Sequence, residues 1–225
     1  MFEVARDQAA GLRRLFRPQQ PSLLPLGCTV GDASERAGVE AIADALARAG
    51  RRPLFVDLLG RANRAPPSSF ARIDADALLP EGAQARDFTR FVESLAGSVS
   101  DGRGAFDVAL VAADPLRLAD LTAGLAERIV LVARTRGDGL ARTYSQIKAM
   151  HLAHGFRAYC TVFLDAGSRA AALASHRRLA DTAARFLRAA IEFGGTHDAI
   201  DAERFAGDAL RWLQPIAVRP RARAH

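Results

Sequence analysis

The sequence predicts an α/β domain, a three-layer sandwich built around a mostly parallel sheet. Short continuous apolar runs recur at 23–26, 54–56, 106–112, 128–132, 159–164 and 191–193. Between them, apolar residues fall at helical spacing, as in Val39, Ile42, Ala43 and Leu46, or Phe88, Phe91 and Leu95. Tyr144, Ile147 and Met150 repeat the pattern, as do Leu179, Ala183, Phe186 and Leu187. Strands apolar on both sides are buried on both faces, and intervening helices supply the crossovers a parallel sheet needs. A chain of 225 residues, 49% hydrophobic, is long enough for one sizeable core.

Residues 1–20 read as a separate arm with its linker. Asp7 can cap a short helix running through Gln8, Ala9 and Leu12 to Phe16, on which Leu12, Leu15 and Phe16 share a face. Pro18 and Pro21 then interrupt any helix. An exposed apolar face on a detachable arm needs a partner groove, and Arg13 or Arg14 can reach a phosphate or carboxylate there. The α/β domain is expected over 21–200. Residues 60–82, rich in Pro and Ser, read as irregular.

Residues 201–225 read as an amphipathic helix and basic tail. Phe205, Ala209, Trp212, Leu213 and Ile216 form one helical stripe, followed by Arg219, Arg221 and Arg223. Phe205, Trp212, Leu213 and Ile216 suit an interfacial helix with a basic anchor; a final helix packed on the core is the alternative.

The first strand, loop and helix stand where a phosphate-binding loop would. Such a loop needs glycines, a lysine and a Ser/Thr hydroxyl for Mg²⁺. Thirty of the 31 basic residues are arginine, and the one lysine, Lys148, lies far downstream. The loop reads Gly27-Cys28-Thr29-Val30-Gly31-Asp32-Ala33-Ser34-Glu35-Arg36, so Asp32 and Glu35 would face phosphates with like charge. The 106–112 run should end in a metal-orienting aspartate but ends Ala112-Ala113; Asp114, before Pro115, reads as a helix N-cap. Asp57 ends the second strand, where a cap or loop anchor is the ordinary role.

Other chemistry is thinly represented. Cys28 and Cys160 form no CxxC pair and suit buried thiols. His151 and His154 have a metal-like spacing without an acidic third ligand, so no metal site is expected. Ser34, Ser145 and Ser175 lack the elbow or base pattern of a hydrolase. No catalytic residue and no cofactor is assigned. No apolar run reaches the ~18 residues of a membrane span, and residues 1–7 lack signal-peptide order, which places the chain in the cytoplasm. A net charge of +6 admits anionic partners.

Asp7-Gln8-Ala9-Ala10-Gly11-Leu12-Arg13-Arg14-Leu15 matches the DQAxxLR motif that opens the FlhG/FleN flagellar-number regulators, which have a MinD/ParA-type core. Residues 45–57 resemble that family's first helix and second strand, 106–108 the start of its Walker B strand, and 129–132 with 144–148 a later strand and helix. Residues 177–187 resemble its penultimate helix. The resemblance implies a P-loop-NTPase-like fold and an arm, Asp7, Gln8, Ala9, Leu12, Arg13 and Leu15, that stimulates FlhF, a signal-recognition-particle-type GTPase. It further implies contact with a flagellar transcriptional activator or switch-complex proteins. ATP-driven dimerisation and peripheral placement at the inner membrane or pole are family traits. Direct nucleic-acid binding is not expected.

The departures fall on the nucleotide site. Val30 stands on the signature lysine, Ser34 on a glycine, Glu35 on the P-loop lysine and Arg36 on the Mg²⁺-binding hydroxyl. Ala112 stands on the Walker B aspartate, and no base-contacting asparagine lies near Leu164. Gly31, Asp32, Ser34, Glu35, Arg36, Asp57 and Ala112 would thus form a vestigial site in a pseudo-ATPase that regulates flagellar number or placement. The alternatives are a weak or atypical MinD-like ATPase and a membrane-associated scaffold for another polar system.

Overall fold

The computed structural model describes residues 21–60, 69–97, 106–197 and 214–215. Within them, the strands are β1 (Ser22–Cys28), β2 (Pro53–Asp57), β3 (Ala71–Asp74), β4 (Val108–Ala113), β5 (Arg128–Ala133), β6 (Ala158–Phe163), β7 (Ala190–Thr196) and β8 (Gln214–Pro215). The helices are α1 (Ala33–Arg48), α2 (Ala85–Gly97), α3 (Pro115–Thr122), α4 (Gly139–His154) and α5 (Arg169–Leu187). Seven strands form a parallel sheet in the order β3-β2-β4-β1-β5-β6-β7, and β8 pairs antiparallel with β1.

Alternation along each strand divides the core in two. Leu24, Leu26, Phe55, Leu110 and Val130 point to the face covered by α1, whose Val39, Ile42, Ala43 and Leu46 are fully buried. Leu23, Leu54, Val111, Leu131 and Tyr159 point to the other face, against residues of α2, α3, α4 and α5 such as Phe88, Leu118, Ile147 and Leu179. The three-layer sandwich expected from the apolar runs is therefore present.

Two local expectations are corrected. Residues 71–74, inside the stretch read as irregular, form β3. It is an edge strand whose four side chains are exposed or half-buried, so it lacks the apolar run that marks the central strands. Gln214 and Pro215, within the C-terminal stretch read as an amphipathic helix, are strand residues opposite Leu23 and Ser22. Pro215 has no N–H to give a helix, and a short marginal pairing tolerates it. The arm residues Asp7, Gln8, Ala9, Leu12, Arg13 and Leu15 and the stripe residues Phe205, Trp212, Leu213 and Ile216 lie outside the described residues.

β1 sits where the strand order reverses: β2, β3 and β4 lie to one side of it, and β5, β6 and β7 to the other. Open α/β sheets place their binding crevice at the carboxyl end of such a switch point. The loop 29–32 leaves β1 at that end.

Candidate functional site

The loop after β1 is closed by one of its own side chains. Glu35, in the first turn of α1, is completely buried. Its Oε1 accepts the Thr29 hydroxyl at 2.7 Å, and its Oε2 accepts the backbone N–H of Val30 at 2.8 Å and of Gly31 at 2.9 Å. Gly31 adopts a left-handed conformation with φ +68°, which L side chains rarely take, and this turns the chain tightly into α1. Gly27 permits a second close approach: a Cβ there would stand 2.7 Å from the Leu131 side chain.

Asp32 does not face the loop. It is the N-cap of α1 and accepts the N–H groups of Ser34 and Glu35, both at 2.9 Å. Its other oxygen pairs with Arg134, just past β5. Burial works against its charge, but the Glu35 amide, Arg134 and the Ser34 amide together hold the carboxyl below its usual range. The expectation that Asp32 and Glu35 both point at a phosphate is thus corrected. One caps the helix; the other accepts the loop's amides.

Next to this closed loop lies a buried ionic cluster. Asp57, at the carboxyl end of β2, is 1% exposed. Its Oδ2 accepts from both Arg36 on α1 and Arg72 on β3, while Oδ1 accepts the Leu59 N–H at 3.0 Å. Arg36 also donates to the Gly60 carbonyl at 2.8 Å, and Arg72 to Glu40 at 3.2 Å. Arg72 lies over the Phe55 ring, 5.5 Å from its centroid. A carboxylate shared by two arginines is a strong, directional arrangement. Here it ties α1, β2, β3 and the turn after β2 into one unit. The loop-anchor role expected of Asp57 is present, with two more partners than the sequence disclosed.

The remaining site residues are passive. Ala112 is buried in register with Asp57, and its carbonyl accepts the Leu58 N–H at 2.9 Å. Val30 is 51% exposed at the crest of the loop. Ser34 is exposed on the first turn of α1. Leu164 packs against α1 where Gly38 leaves room for it. Asp114 is the expected N-cap of α3, with Pro115 in its first turn. Cys28, at the foot of the loop, is buried; burial first, and then the neighbouring Glu35 charge, push its thiol well above the ordinary range. Cys160 is buried as expected. His151 bonds the Phe156 carbonyl at 2.9 Å and His154 pairs with Asp120 at 3.0 Å; no cluster of metal ligands occurs among the described residues.

Two clefts flank the loop. One, of about 480 Å³, carries Glu81, Asp114 and Asp120 beside Arg117, whose guanidinium is engaged by Asp76 and the carbonyls of Leu58 and Leu79. The other, of about 430 Å³, carries Arg134, Arg136 and Arg142 with Asp138 and Asp165.

A nucleotide phosphate with Mg²⁺ does not fit these residues. The loop donors of Thr29, Val30 and Gly31 are taken by Glu35. A guanidinium fills the space beside Asp57, Ala112 offers no ligand, and of the two clefts beside the loop the one lined by Glu81, Asp114 and Asp120 is acidic. No lysine approaches.

The fold, a three-layer α/β sandwich on a parallel sheet, is similar to that of solved structures of MinD and plasmid-partition proteins. A plasmid partition protein from Borrelia burgdorferi is similar with a TM-score of 0.51 and 9% identity, over 85% of this chain and 97% of that one. A putative plasmid partition protein from Borrelia burgdorferi B31 bound to AMPPNP gives the same figures. MinD from Aquifex aeolicus is 14% identical over 86% of this chain and 87% of its own, with a TM-score of 0.48. No family model matches the sequence, and no curated protein does. No described helix is long and apolar enough to cross a membrane.

Proposed function

We propose that this chain is a non-enzymatic regulator of flagellar number or placement, a degenerate FlhG/FleN-like member of the MinD/ParA family. It binds an FlhF-type GTPase through residues 7–15 and stimulates it. The observation that carries the partner is the DQAxxLR segment standing directly ahead of a MinD/ParA-type core, whose first strand begins at Ser22. The closed loop supports the non-enzymatic half of the reading, because its amides are already spent on Glu35. An anionic membrane and a flagellar transcriptional activator or switch complex are further partners on the same reading.

A second reading is a weak MinD-like ATPase. The shared fold favours it, since a protein of this fold is known bound to AMPPNP. The ionic filling of the site argues against it.

The arm gives the test. A short helix alone in water is marginal, so it should order only against its partner. A peptide of residues 1–20 is expected to raise the GTPase rate of FlhF without the core. Leu12→Ala should mainly weaken binding, by removing buried apolar area. Gln8→Ala or Arg13→Ala should mainly lower the stimulated rate, as groups acting on the transition state do. Hydrolysis left at its basal rate by saturating intact protein would refute the proposal. Co-purification with FlhF separates it from a scaffold for another polar system.

A further inference from the structure

The Glu35 carboxylate, not exposed at all, receives two successive backbone N–H groups and a hydroxyl from the loop at the N-terminus of a 16-residue helix. Successive amides converging on one point, backed by a helix N-terminus, are the geometry that binds oxyanions. We infer that loop 29–31 is a working oxyanion nest whose resident anion is the chain's own Glu35, so that the loop keeps one conformation whatever nucleotide or phosphate surrounds it.

The carboxylate is held from both sides. Its backbone is fixed by the Asp32 cap, whose second oxygen is tied to Arg134. The next residue, Arg36, is anchored to Asp57 and to the Gly60 carbonyl. Swinging Glu35 out would take the shared acceptor from two partly buried amides and from the buried Thr29 hydroxyl, which is unfavourable. An external phosphate therefore meets a nest that is vacant only for a small fraction of the time, and its apparent affinity falls by that fraction. The same contacts join the loop to the turn after β2, so the surface around exposed Val30 is set by sequence and not by a ligand.

The test titrates inorganic phosphate, at constant ionic strength with chloride as control, into the intact wild-type chain and Glu35→Ala. If Glu35 occupies the nest at least about nine-tenths of the time, the variant should bind phosphate at least about tenfold more tightly than wild type. Amide exchange at Val30 and Gly31 should be slow in wild type, fast in Glu35→Ala, and slowed again by phosphate. Glu35→Gln keeps the side-chain volume and removes the charge, and covers the case in which the alanine variant fails to fold. It should exchange faster than wild type at these two amides. Equal phosphate affinity in wild type and a folded Glu35→Ala, or unchanged exchange in Glu35→Gln, overturns the inference. Neither readout involves a partner GTPase, so this inference and the proposed function fail separately.

Discussion

Asp57→Ala is expected to destabilise the protein by about 3–5 kcal/mol, the cost of removing one member of a buried ion pair. The substitution leaves the Arg36 and Arg72 side chains, 8% and 9% exposed, facing each other without the carboxylate they share. The Gly60 carbonyl and Glu40 remain as secondary partners, so the chain should still fold, with a lowered denaturant midpoint. Asp57→Asn keeps an acceptor but not the charge and should fall between the two. The effect should spread: the turn after β2 and edge strand β3 both hang on Asp57, so amide exchange should rise there before it rises in β4 or β5. A loss below about 1 kcal/mol would mean the cluster is solvated and worth no more than a surface pair.

Phe55→Ala is expected to cost a similar 3–5 kcal/mol, by cavity formation under α1. Phe55 is fully buried, meets Phe70 edge-on at 6.3 Å between centroids, and supports the Arg72 guanidinium. The variant therefore couples the core to the ionic cluster. Residues sharing a partner couple energetically, so the double variant with Asp57→Ala should lose less than the sum of the single losses. Equilibrium unfolding of the four proteins measures this. Strict additivity would show that Arg72 is not held jointly by the ring and the carboxylate.

The central strands were legible because β1, β4, β5 and β6 are buried on both faces and so read as continuous apolar runs. β3 was hidden by its position. An edge strand with no buried side chain alternates Ala71 and Ile73 with Arg72 and Asp74, and the prolines upstream suggested a loop. Missing β3 also hid Arg72, whose place beside Phe55 follows from the parallel register of β2 with β3. The departures from a phosphate-binding loop were legible one residue at a time. The contacts these residues make were not, because the Glu35–loop contact and the Arg36–Asp57–Arg72 cluster depend on a backward-turned side chain and on partners 15 to 21 residues apart. Glu35, read in sequence only as a like charge toward a phosphate, accepts the loop's own amides in the fold.

Calorimetric titration of the intact, purified chain with Mg-ATP tests the account most directly. With the loop amides committed to Glu35 and Asp57 held by Arg36 and Arg72, no binding heat beyond dilution is expected at millimolar nucleotide, and no rise in melting temperature. Binding tighter than about 100 μM, roughly −5.5 kcal/mol, would contradict the account and move the chain to the ATPase reading.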